Sequence, residues 1–273
     1  MVVWLQAMLA SVVIAADDQV DELYRLDRLD EFALSVVNIM PSSVVQAMET
    51  QGVPPDIIAT ARTIAEDSFL VSGLQSRLEK ELRAGLSEAD LSAILAWRKT
   101  ALGEKIHAAE SQHGDAEYAE NLRVYSVSKE LYSVSDERRL MIIELYGAMN
   151  AVDQAAKMII NANYAMALAT AIATGEDDPD DATMREVYDG IAASRPQIEI
   201  GVRGRMLVTG LYAYRQISDE DLADYMAFNR SEAGMRYNQI LFTVVDSWLF
   251  DSTKRFGYHF GKALREYNEQ QPS

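Results

Sequence analysis

One stretch of this chain occurs twice, and that limits what the chain can fold into. Residues 86–105 read LSEADLSAILAWRKTALGEK and residues 217–236 read ISDEDLADYMAFNRSEAGMR, in register without a gap at an offset of 131. Ser87 matches Ser218, Asp90 matches Asp221, Leu91 matches Leu222, Ala96 matches Ala227 and Gly103 matches Gly234. Other pairs keep their type: Glu88 with Asp219, Leu95 with Met226, Trp97 with Phe228, Thr100 with Ser231, and Lys105 with Arg236. A chain that carries one unit twice is expected to build its fold from two versions of that unit.

The matched positions read as helix grammar. Ser87 and Ser218 stand just before an apolar-periodic run, where a serine caps a helix. Asp90 and Asp221 follow three residues later, placed to reach back to the cap amide and to face the positive end of the helix dipole. Leu91, Ile94 and Leu95 form an i, i+3, i+4 stripe, as do Leu222, Tyr225 and Met226. Trp97 and Phe228 supply a large apolar anchor. Thr100 and Ser231 read as second N-caps, where one helix ends and another begins at an angle. One continuous helix with the glycine on a packed face is the alternative.

A weaker match lies upstream in each half. Glu22-Leu23-Tyr24 and Glu144-Leu145-Tyr146 stand 122 residues apart, and each leads into a helical stripe. The second half has thus gained about nine residues, and the acidic stretch GEDDPDD, Gly175 to Asp181, is the obvious place for them. The expected organisation is a signal peptide over 1–16, helical repeat 1 over 17–134, helical repeat 2 over 135–268, and a disordered tail over 269–273.

Glycine (14) and proline (6) are scarce among 273 residues, which favours long helices over the tight turns of a β fold. The pattern predicts helices over 18–39, 42–51, 56–84, 87–99, 101–111, 115–132, 136–174, 179–193, 197–215, 218–230 and 232–266. No stretch keeps a two-residue alternation, so the expected class is all-α: two diverged helical repeats packed into one helical bundle-like array, without a sheet.

The amino terminus, MVVWLQAMLASVVIAA, is uncharged, apolar and near signal-peptide length. Small residues up to Ala16 fit a cleavage site, although no Lys or Arg precedes the apolar run. The reading is an exported, periplasmic chain cleaved near Ala16, with no stable membrane insertion afterwards, since the run is shorter than the roughly 20 residues of a span. A net charge of -17 repels phosphate backbones and so argues against a nucleic-acid partner. With no cysteine in the chain, disulfides, zinc–thiolate sites, cysteine nucleophiles and the acylated cysteine of a lipoprotein are excluded.

The lines Trp97-Arg98-Lys99-Thr100-Ala101-Leu102-Gly103-Glu104-Lys105 and Phe228-Asn229-Arg230-Ser231-Glu232-Ala233-Gly234-Met235-Arg236 carry a resemblance. A capped helix reaches an aromatic residue, then a hydroxyl residue, then glycine and a basic residue. This resembles two tandem copies of the bacterial domain of unknown function 2059 family. The family's proline after the hydroxyl residue is Ala101 in one copy and Glu232 in the other. The resemblance implies an exported helical module and implies no catalytic residue.

No chemical constellation stands out, so no residue is assigned a catalytic, cofactor-binding or metal-binding role. His107 and Glu110 share a helical face with His113 nearby, but a metal needs more convergent ligands, and surface polar residues are the reading there. His259, among Phe256, Tyr258 and Phe260, reads as a partly buried helix residue. Asp177, Asp178, Asp180 and Asp181 lack the spacing of a calcium loop, so whether this stretch takes a divalent ion stays open. Ser126-Val127-Ser128-Lys129 matches the serine acylase pattern SerxxLys without its companion motifs. Tyr212, Tyr214, Tyr225, Tyr237 and Tyr258 read as packing residues, or alternatively as the lining of an apolar groove. The leading functional reading is a non-enzymatic interaction or binding module with an unknown protein partner. The alternatives are a carrier of a small apolar ligand between the two repeats, or an enzyme using Asp, Glu and Tyr.

Overall fold

The computed structural model describes residues 18–50, 52–111, 116–175 and 181–270. Among these the chain is helical and contains no strand, an all-α fold. The helices are α1 (18–26), α2 (Leu29–Thr50), α3 (Pro55–Ser68), α4 (Val71–Gly85), α5 (Glu88–Arg98), α6 (Ala101–Glu110) and α7 (Ala116–Ser126). Then follow α8 (Lys129–Ser133), α9 (Asp136–Ala148), α10 (Ala151–Ala173), α11 (Asp181–Ala192), α12 (Arg195–Ala213), α13 (Asp219–Arg230) and α14 (Glu232–Gln270). The apolar amino-terminal run, His113 and Asp177 to Asp180 lie outside the described residues.

The repeated caps form as their residue types dictate. Ser87 Oγ accepts the Asp90 amide at 3.1 Å while the Asp90 carboxylate accepts the Ser87 amide at 3.0 Å. Ser218 Oγ accepts the Asp221 amide at 3.1 Å. The recap also occurs in both places. Thr100 Oγ1 accepts the Gly103 amide at 2.9 Å, and Ser231 Oγ accepts the Gly234 amide at 3.1 Å. These caps divide α5 from α6 and α13 from α14.

Five of the expected helical spans differ from the pattern in the sequence. The break expected at Pro41 is absent, and α2 runs through it. Proline removes one amide there, but Val36, Val37 and Met48 on either side are all buried, and their packing holds the helix together. The span 56–84 is two helices instead, because Phe69 leaves the helix to pack on Trp248 and Phe256, with ring centroids 6.0 and 6.2 Å away. The spans 18–39 and 136–174 are each cut by a left-handed residue, Arg28 (φ 49) and Asn150 (φ 54). The span 115–132 is cut at Ser128, whose hydroxyl caps α8 by accepting the Leu131 amide at 3.2 Å. Beyond these, α14 runs two residues into the segment read as a tail, and 271–273 lie outside the described residues.

The described residues form two compact units. Unit 1 takes those up to Asp30, Ser76–Val152 and Gly201–Phe242, and unit 2 takes Glu31–Gln75, Asp153–Ile200 and those from Thr243 onward. Each unit therefore draws on both of the halves 17–134 and 135–268.

In unit 1, positions 131 apart share their burial. Leu91 and Leu222, Ile94 and Tyr225, and Ile106 and Tyr237 are all at most 2% exposed. Their contacts come in exchanged pairs. Lys105 reaches Asp221 at 2.8 Å, and Arg236 reaches Asp90 at 3.7 Å. Within each half, by contrast, a matched pair recurs: Lys99 reaches Glu22 at 2.8 Å, and Arg230 reaches Glu144 at 3.2 Å. A Cβ on Gly103 would stand 2.4 Å from the Trp97 carbonyl oxygen, and one on Gly234 would stand 2.2 Å from that of Phe228.

Unit 2 is held by close helix approach and aromatic contacts. A Cβ on Gly257 would stand 2.5 Å from the Ala165 carbonyl oxygen, and one on Gly261 2.6 Å from that of Ala169, so α14 lies directly on α10. Arg265 Nε donates to the Ile172 carbonyl at 2.8 Å, satisfying a group near the end of α10. Tyr164 stacks on Phe250 at 5.7 Å with Tyr188 edge-on to both.

Candidate functional site

The interior of unit 1 holds a polar cluster set among aromatic rings. Arg98 is the last residue of α5, on the turn where the Thr100 cap redirects the chain. Its side chain is 12% exposed and lies 2.8 Å from an Asp27 carboxylate oxygen, itself on a side chain 6% exposed. The contact is electrostatic, since Arg98 Nε has no aligned hydrogen-bond acceptor. The guanidinium lies 5.1 Å from the Trp97 ring centroid and 6.0 Å from that of Tyr237. Tyr237 Oη donates to the other Asp27 oxygen. Burial alone would lower the Arg98 pKa, but Asp27 and the surrounding tyrosines and Glu110 outweigh it, so the cation is held more firmly than in water.

Glu110, at the end of α6, forms the second focus. One carboxylate oxygen accepts from Tyr214 Oη at 2.6 Å and from Tyr225 Oη at 2.8 Å. Burial pushes both hydroxyls well above the ordinary tyrosine value, and the Glu110 charge pushes the same way. Tyr146 is raised for the same two reasons. These hydroxyls stay protonated at neutral pH, so they serve as donors that hold a carboxylate and are poor proton sources.

The matched partner of Arg98 is Asn229, also buried at 2%. Asn229 Nδ2 donates to the Tyr225 carbonyl at 2.9 Å, and its Oδ1 accepts from Asn238 at 2.8 Å. The position after the aromatic anchor is thus buried and polar in both places. That pairing was visible in the two aligned lines, and it is the signal that could have found Arg98. Asp27 had no such signal, because its position is fixed by the left-handed turn at Arg28.

Of the residues singled out in the sequence, Glu110, Tyr214 and Tyr225 meet directly. His107 is half-buried, one turn before Glu110, and its Nε2 has no hydrogen-bond partner, which corrects the surface reading. His259 is exposed, not partly buried, because it points away from the face that buries Phe256 and Phe260. Tyr212 packs edge-on to Tyr118, centroids 5.0 Å apart, under the Arg215 guanidinium at 3.9 Å. Tyr258 belongs to unit 2, with Lys262 over its ring at 4.4 Å. Ser126 Oγ donates to the Arg123 carbonyl at 2.7 Å, so its hydroxyl ends α7. Among the described residues no group of three or more His, Asp or Glu side chains is gathered to hold a metal ion.

Unit 1 also carries an open groove of about 320 Å³ between α7 and α12. Ala119, Leu122 and Val208 give it an apolar floor, while Arg123, Ser126, Arg205 and Thr209 stand around it. One wall comes from the first half of the chain and the other from the second.

Comparison with protein-family models, with curated proteins and with solved structures gives no match for this chain. Among the described residues no helix is long and apolar enough to cross a membrane.

Proposed function

We propose that this chain is an exported, non-enzymatic binding module made by duplication of one helical unit of the domain of unknown function 2059 type. The exchanged ion pairs of unit 1 are the observation that carries the duplication. When residue i of one copy touches residue j of the other, and j of the first touches i of the second, a two-fold relation between copies is the simplest origin. Lys105–Asp221 with Asp90–Arg236 follows that rule at an offset of 131. The chain also passes from unit 1 to unit 2 after Asp30 and again after Val152, 122 residues on, with Arg28 and Asn150 as matched left-handed residues just before.

Support for binding over chemistry comes from how the polar interior is used. Glu110, Tyr214 and Tyr225 are engaged with one another, as are Asp27, Arg98 and Tyr237. The carrier reading gains from one observation, the apolar groove whose walls come from the two halves.

Two measurements test these readings. N-terminal sequencing of the chain from a periplasmic extract is expected to begin near Asp17, and a chain beginning at Met1 contradicts export. The immobilised folded chain is expected to retain a protein or small molecule from periplasm that heat-unfolded chain does not. Retention of nothing above background contradicts the binding module.

A further inference from the structure

We propose that the groove between α7 and α12 binds an amphipathic anion, an apolar chain ending in a carboxylate. The proposal rests on the binding-module reading and names the ligand class for it.

The floor of Leu122, Val208 and Ala119 is apolar, and its volume of about 320 Å³ falls at the lower end of the range for small-ligand sites. Two guanidiniums border it. Arg123 is already held by both oxygens of Glu120, at 2.7 and 2.8 Å. Among the described residues Arg205 is exposed and makes no ion pair. Its surroundings are unusual for this chain. From Ile200 to Ser218 there are three arginines and no carboxylate, in a protein whose net charge is -17. The third of these, Arg215, is committed to the Tyr212 ring and carbonyl. A cation without a partner beside an apolar floor is complementary to a head-and-tail anion.

Two further observations fit this place. Val124 and Val127, next to Arg123 and Ser126 in the chain, are 53% and 75% exposed, so apolar side chains stand uncovered around the end of α7. The groove also lies where the two halves of the chain diverge. After Ser231 the second half continues as one 39-residue helix, whereas after Thr100 the first half makes α6 and then the separate α7. The wall built by α7 therefore has no matched counterpart.

Calorimetric titration of the full chain with decanoate below its micelle concentration tests the proposal, with acetate and decyltrimethylammonium as controls. Decanoate is expected to bind with one-to-one stoichiometry. Acetate lacks the tail and the ammonium carries the wrong charge, so each is expected to bind at least about ten-fold more weakly. Preference for the anion runs against the protein's overall field and so reports on the local site. Arg205→Gln is expected to weaken decanoate about ten-fold. Ala119→Phe, at an exposed position of the floor, is expected to block it with the thermal midpoint unchanged. Amide shifts induced by decanoate are expected on α7 and α12. The proposal is overturned by an absence of decanoate heat, by equal binding of the ammonium, or by both variants binding like the native chain. If periplasmic capture persists in that event, the ligand class falls and the binding module stands.

Discussion

Trp97 and Phe228 stack face to face, with ring centroids 4.1 Å apart and planes 12° from parallel. They are also the same position of the repeated stretch, 131 residues apart. Each is therefore the other's partner, the contact that the proposed two-fold relation requires at its axis. Around them each exchanged ion pair has its cation in solvent and its carboxylate partly covered, and adds about 1 kcal/mol or less. The aromatic pair, the buried stripes and the tight glycines hold the halves of unit 1 together.

The glycines give the sharpest single-site prediction. Alanine for glycine inside a helix ordinarily stabilises by about 0.4–1 kcal/mol. Gly103 and Gly234 should reverse that sign, because the new methyl would stand 2.4 and 2.2 Å from a backbone oxygen that cannot swing away. Gly103→Ala and Gly234→Ala are each expected to cost about 1–3 kcal/mol in urea unfolding. Gly147→Ala, where a Cβ meets nothing within 4 Å, is the control and should not destabilise.

Arg98 and Asp27 form a buried pair, so loss of one partner strands the other charge. Arg98→Met is expected to cost about 3–5 kcal/mol. Combining it with Asp27→Asn should recover part of that loss, since the stranded carboxylate is gone. A double variant as unstable as the sum of the singles would show that the two side chains act independently.

The caps predict an acid limb. The hydrogen bond from the Ser87 hydroxyl chiefly holds the Asp90 carboxyl below its ordinary value; burial opposes it, and the Ser87 amide and the Arg236 charge add to the lowering. Asp221 is lowered by Lys105 first and also by Ser218. A folded-state pKa below the unfolded one gives stability that is full above about pH 4 and is lost as pH falls through the folded value. Unfolding free energy should therefore drop below pH 4. Ser87→Ala should cost about 1 kcal/mol at pH 7 and flatten that drop.

The tyrosines predict an alkaline limb of opposite sense. Tyr118 is pushed up to about 12 by burial and by Tyr212, with Arg215 opposing. Tyr24 is pushed up to about 12 by burial and then by Asp30 and Glu79. Folded-state values above the unfolded one give stability that is full below about pH 10 and is lost as pH rises through 12. Absorbance at 295 nm should show the interior tyrosines ionising only as helicity collapses. Ionisation of all 13 tyrosines together near pH 10 in folded protein would contradict the buried network.

The helical class and the repeated caps were legible because both follow from local chemistry. A serine before an apolar stripe caps a helix whatever surrounds it, and Thr100 and Ser231 recap because a hydroxyl is placed to take the glycine amide. The breaks at Phe69, Arg28 and Asn150 were not legible. Phe69 leaves its helix for Trp248 and Phe256, residues 179 and 187 positions away, and Arg28 is a poor left-handed residue that its neighbours nevertheless impose. Proline at position 41 misled for the converse reason, since packing on both sides outweighs one missing amide. At the candidate site, Glu110 was noticed for the wrong partner. Its spacing from His107 suggested a shared face, whereas Tyr214 and Tyr225 meet it from more than 100 residues away. The groove could not be read at all, because its walls meet only through tertiary structure.

The most direct test of the two-fold relation is to exchange the aromatic pair. Trp97→Phe alone leaves a void and Phe228→Trp alone overpacks, and each should cost about 1–3 kcal/mol in urea unfolding. If the two positions are equivalent across an axis, the double variant Trp97→Phe/Phe228→Trp only trades the rings between them, and its stability should return to within about 1 kcal/mol of the native chain. A double variant that shows the full sum of the two single losses would contradict the relation.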